Sequence, residues 1–94
     1  MTPEEQARVA AFLGGLYGAF PPFGFYHGDE PISDADVALA VLAKLATMDC
    51  KVSLVHVGPG VGWRVDVIRR ADHSNVSTYK PTAQEAVFWA ALNT

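Results

Sequence analysis

Residues 51–70, KVSLVHVGPGVGWRVDVIRR, constrain the fold of this chain more than any other stretch. Two alternating runs flank the turn Gly58-Pro59-Gly60-Val61-Gly62. In the first run Val52 and Leu54 share one face, and Ser53, Val55 and Val57 share the other. In the second, Trp63, Val65 and Val67 lie opposite Arg64, Asp66 and Ile68. A period of two, β-branched residues and a glycine-rich connection predict an antiparallel hairpin. A lone hairpin is marginal in water, so the rest of the chain must cover its apolar face.

The flanking segments read as that cover. Thr2-Pro3-Glu4-Glu5 opens a first helix, with Thr2 as cap, Pro3 at the first helical position and Glu5 as capping-box acid. Val9, Phe12, Leu13, Leu16 and Phe20 then fall on one stripe. Gly14, Gly15 and Gly18 weaken this helix by roughly 1 kcal/mol each. They either admit a close neighbour or mark an early end near residue 18.

Ser33-Asp34-Ala35-Asp36 opens a second helix, whose core stripe is Val37, Val41, Leu42, Leu45 and Met48. Its other side carries Leu39, Ala40, Ala43 and Ala46, apolar where a solvent face is usually charged. A second cover for this helix is therefore expected, from the first helix or from another subunit. Ala71–Asn75 is a polar turn, and Val76–Lys80 is predicted as a short third strand. Pro81-Thr82-Ala83-Gln84-Glu85 starts the last helix, with Thr82 and Glu85 as a capping box and Val87, Phe88, Ala91 and Leu92 on its core side. Trp89 falls at the margin of that side. The predicted architecture is α+β: a small antiparallel sheet (hairpin 51–70, third strand 76–80) covered by three helices. The order is α-α-β-β-(β)-α, in a single domain over 1–94.

Between the first two helices, Phe20–Gly28 carries four aromatics among prolines and reads as irregular. In one reading the rings fold back to plug an open edge of the core. In the other, Phe20, Phe23, Phe25 and Tyr26 stay exposed as anchors for a protein partner, with Asp29 and Glu30 beside them.

Half of the 94 residues are hydrophobic and 18% are charged, which excludes disorder as the main state. No apolar run approaches the roughly 20 residues of a membrane span. The first fifteen residues are acidic where a secretory signal is basic, so a cytoplasmic location is expected. The net charge of −3 divides into −5 over residues 1–50 and +2 over residues 51–94. Such a balance gives no global attraction to nucleic acid. Arg64, Arg69 and Arg70, with Lys80 near by, remain as a local patch for an anion, set against a reading as a solvated strand face.

Chemistry-bearing groups are sparse. His27, His56 and His73 sit in different elements without metal-ligand spacing, and His56 reads as a half-buried member of the sheet. Cys50, the single cysteine, lies at the far end of the same strand, roughly 20 Å from His56 at strand rise, which defeats a thiol–imidazole pair. The glycine turn lacks the Lys-Ser/Thr and helix start of a phosphate loop. Asp29, Glu30, Asp34 and Asp36 lack calcium-loop spacing. No catalytic residue, metal site or cofactor is expected, and the chain reads as a non-enzyme.

Three motifs point to a family. They are Ser33-Asp34-Ala35-Asp36-Val37-Ala38, Gly62-Trp63-Arg64-Val65, and Pro81-Thr82-Ala83-Gln84-Glu85-Ala86 followed by Ala90-Ala91-Leu92. Through them residues 32–92 resemble the small phage-encoded domains called phage ABA sandwich proteins. The segment through His27 lies outside the match, and residues 71–80 are more polar than that pattern. The resemblance implies a phage or prophage origin and helices on a small sheet, and it transfers no catalytic residue.

The expected role is that of a small accessory protein of a phage or prophage that binds a host or phage protein. An inhibitor of a bacterial defence system is one concrete version. The alternatives are a structural or oligomerisation module, as a homodimer, and a small-ligand binder. In the last, Tyr26 or Trp63 stacks on a nucleotide base and Arg64 or Arg69 meets phosphate.

Overall fold

The computed structural model describes residues 2–19 and 24–94. Helix α1 spans Pro3–Phe12 and is followed by strands β1 (Gly18–Ala19), β2 (Phe25–His27) and β3 (Glu30–Ile32). Helix α2 spans Asp34–Leu45, and strands β4 (Cys50–Gly58), β5 (Gly62–Arg69) and β6 (Asn75–Lys80) come next. Helix α3 (Ala83–Leu92) closes the chain. The fold is α+β, with three helices and two three-stranded antiparallel sheets, β1-β2-β3 and β4-β5-β6. The order is thus α-β-β-β-α-β-β-β-α, and not the α-α-β-β-β-α read from the sequence.

The difference lies in the aromatic–proline stretch. Phe25-Tyr26-His27 and Glu30-Pro31-Ile32 pair as a hairpin, His27 facing Glu30 across a two-residue Gly28-Asp29 turn. Gly28 sits at φ 62°, as the first central position of a type II′ turn requires. Pro31 is accommodated because β3 is the edge of its sheet. Phe20 and Phe23 lie outside the described residues.

Helix α1 begins as expected. The Glu5 N–H donates to Thr2 Oγ1 at 3.1 Å, and the Thr2 N–H donates back to Glu5 Oε1 at 3.0 Å. It ends at Phe12, before the glycines, and Gly14 and Gly15 turn the chain at φ 67° and 84°. Among the described residues of the predicted stripe only Val9 and Leu13 are buried, and Leu16 is exposed. Ser33 Oγ accepts from the Asp36 N–H at 3.2 Å, and Thr82 Oγ1 accepts from the Glu85 N–H at 3.2 Å, fixing the starts of α2 and α3.

The main hairpin follows its alternation. Leu54 faces Val65, and Val52 faces Val67. Val65 and Val67 are fully buried, with Val52, Leu54 and Trp63 packed around them. Helix α3 lies over all three strands of this sheet and also touches α1 and α2. Ala86, Val87, Phe88, Ala90 and Ala91 are all buried. That is a broader face than the one drawn from Val87, Phe88, Ala91 and Leu92, as suits a helix enclosed by its neighbours. Its alanines let those neighbours approach. At its end, Arg8 of α1 donates to the Leu92 carbonyl at 3.4 Å.

Candidate functional site

Among the described residues, Tyr26 and Asp29 line one cavity with Gly18, Ala19 and Gly28, and the other residues singled out in sequence are not part of its lining. Phe25 is 1% exposed, and its ring centroid lies 5.8 Å from that of Phe88. Its ring therefore belongs to the core and is not an exposed partner anchor; here the reading in which the aromatics fold back applies. Tyr26, the next residue along β2, is half-buried. Asp29 and Glu30 are exposed at the β2–β3 turn. His27 stands at that end too, its ring 5.8 Å from Tyr17 in an edge-on arrangement.

The basic patch also disperses. Arg64 Nη2 lies 3.1 Å from Asp66 Oδ1, so its charge is locally matched. Alternation puts Arg64 on the sheet face away from Val65, whereas Arg69 has the opposite parity. Arg69 and Arg70 are exposed at the far end of β5. His56 lies 5.0 Å from the Trp63 ring but is exposed rather than half-buried, because it falls at the tip of the hairpin, next to an irregularity between His56 and Gly58. Cys50 is partly buried, with its thiol 3.9 Å from the Leu45 carbonyl. Among the described residues, no three His, Cys, Asp or Glu side chains come together as a metal would need. No helix there is long and apolar enough to cross a membrane.

What the fold does build is an apolar furrow between α2, α3 and β4. Its walls are Ala35, Ala38, Leu39 and Leu42 on one side and Ala83, Gln84 and Val87 on the other, and Leu54 of β4 lies between. The cause is local. Helix α2 buries Val37, Ala38, Val41 and Leu45, and this turns Leu39 outward, 65% exposed. Ala43 and Ala46 are exposed as well, so the second cover expected for α2 is absent among the described residues.

Two further properties mark this surface. Strand β4 is an edge of its sheet, with β5 on one side and no strand on the other among the described residues. It is nine residues long, has no proline, and carries one formal charge, at Lys51. Proteins usually blunt such an edge with charge, proline or cover. The opposite edge, β6, is the more polar Asn-Val-Ser-Thr-Tyr-Lys. The furrow volume of about 290 Å³ is at the small end for a ligand pocket and lacks the convergent polar groups that orient one.

The chain matches no protein-family model, and no similar curated protein or solved structure was found. The sequence signal for the furrow was the apolar outer side of α2. The signal for the aromatic hairpin was Gly28-Asp29 between Phe25-Tyr26-His27 and Glu30-Pro31-Ile32.

Proposed function

We propose that this chain is a protein-docking module whose contact surface is the furrow between α2, α3 and β4 together with the bare edge of β4. One observation carries the reading: Leu39 stands 65% exposed at the rim of an almost wholly apolar furrow, beside a strand edge able to accept another strand. An added strand supplies backbone hydrogen bonds, and side-chain pockets beside it supply selectivity. The resemblance of residues 32–92 to phage ABA sandwich proteins supports a phage or prophage accessory role. Occupation of a bacterial defence protein is the concrete form of that role. The acidic pair Asp29 and Glu30, exposed on a short hairpin, suits a basic target surface.

The test is a comparison of wild type with Leu39→Lys in cross-linking and capture experiments. Protein contacts made by the wild type disappear in the variant, while its circular-dichroism spectrum and melting temperature stay the same. Contacts that survive the substitution unchanged overturn the assignment of this surface.

A further inference from the structure

An apolar furrow beside a free strand edge can take one of several protein occupants. We infer that the occupant is a second copy of this chain, joined by antiparallel pairing of β4 with β4 about a two-fold axis at Leu54. The inference rests on the docking role assigned to this surface and goes on to name its occupant.

A two-fold contact sets each residue against its symmetry mate, so a strand that pairs with itself must tolerate its own sequence reversed. Centred on Leu54, the pairs are Leu54 with Leu54, Val52 with His56, Ser53 with Val55, and Lys51 with Val57. No like charges oppose each other. The two lysines fall at opposite ends, roughly 20 Å apart at strand rise. Each pair joins residues of the same parity, so the inner faces of both copies stay on one side. Both helical layers then lie on the same face of a continuous six-stranded sheet, and the two furrows meet above the Leu54 pair. A slip of one residue would set inner against outer positions and separate the furrows.

Size is consistent with this occupant. Seven paired residues span about 24 Å, and a sheet with one helical layer is about 20 Å deep, giving on the order of 500 Å² from each copy. The sum, about 1,000 Å², reaches the lower bound of a specific interface and predicts a weak, concentration-dependent dimer. The furrow favours an apolar occupant over a charged one. Leu39 and Leu42 of a second copy meet that requirement, and burying them relieves the exposure that the monomer leaves.

Sedimentation velocity over about 5–500 µM reads the equilibrium directly by mass action. The wild-type chain shifts from 10.1 kDa toward twice that mass. Leu39→Lys and Val55→Lys, both at exposed positions, each weaken dimerisation at least about tenfold, and Glu30→Gln leaves it unchanged. Nitroxide labels at Val57→Cys, in a Cys50→Ser background, report a backbone separation near 20 Å across the dimer. Two outcomes overturn the inference. One is a monomer at every concentration; the other is a dimer insensitive to both lysines or with a label distance incompatible with the Leu54 axis. A monomer that still captures another protein through Leu39 overturns the second copy as occupant and leaves the docking surface standing. A monomer with no Leu39-dependent contact removes both.

Discussion

The rings of Phe25 and Phe88 lie 5.8 Å apart at an interplanar angle of 41°, joining the small N-terminal sheet to the helix at the centre of the main core. Both are buried, at 1% and 3% exposure. The contact explains how three strands of two or three residues persist, since so short a sheet has few hydrogen bonds of its own. Phe25→Ala is expected to cost about 3–5 kcal/mol in urea unfolding, and Phe25→Leu under about 2 kcal/mol. Amide exchange should accelerate first over β1–β3. A cost below about 1 kcal/mol would mean that this sheet is not anchored through the ring.

This contact also shows where sequence reasoning stops. The main hairpin, the third strand and three helix starts follow from short-range rules, because alternation and capping depend on residues within a turn of each other. Ser33, Thr82 and Thr2 cap as their spacing requires. The fate of Phe25 depends on Phe88, 63 positions away, and no local pattern encodes that proximity. Prolines at 21 and 22 argued against strands within Phe20–Gly28, yet Phe25–His27 pairs with a strand that itself holds Pro31, on an edge where the missing N–H costs nothing. Gly28-Asp29 carried the opposite signal, a two-residue hairpin turn, and tertiary anchoring decided between them. The outer side of α2 was readable as apolar, and a cover was expected there that the described residues do not supply. That β4 is the neighbouring edge was not, because strand order is a tertiary fact.

Gly62 is constrained more tightly than any other glycine of the hairpin tip. Its φ is 98°, and a Cβ there would run into the Lys80 carbonyl and stand 2.9 Å from Pro81 Cα, both backbone atoms that cannot swing away. Gly60 shares a positive φ of 81° but opens onto free space. Gly60→Ala therefore costs only the left-handed backbone term, about 1–2 kcal/mol. Gly62→Ala adds displacement of the β6–α3 junction and is expected to cost at least about 1 kcal/mol more. Paired denaturation curves check this, and equal costs would show that the junction yields freely.

Lys44, near the end of α2, donates to the Phe12 carbonyl at the end of α1 and sits 4.9 Å from the centre of the Phe12 ring. The cation thus meets both an orphan helix carbonyl and an aromatic face. Both groups are near the surface, so solvent moderates the gain. Lys44→Met, which keeps the stem and removes the charge, is expected to destabilise by about 0.5–1 kcal/mol. Exchange of amides following Phe12 should rise more than exchange in β4–β6. A uniform rise across the chain would contradict a local strap.

The capping box of α1 makes a small part of stability depend on pH. The Thr2 backbone N–H, and after it the Thr2 side chain, hold the Glu5 carboxyl below the usual glutamate range, against a weak opposing effect of burial. A carboxyl whose folded value is depressed contributes stability above its unfolded value, and loses it as pH falls through the folded one. Glu5 is only half-buried at the surface, so solvent screening limits the contribution to about 0.2–1 kcal/mol. Glu5→Gln cannot titrate. Its stability gap from wild type is therefore expected to be widest near neutral pH and to close in acid, below the ordinary glutamate range. Urea unfolding of both proteins across that range checks the sign. A gap that stays constant with pH would assign the loss to helix propensity or packing, and would remove the carboxylate from the cap's energetics.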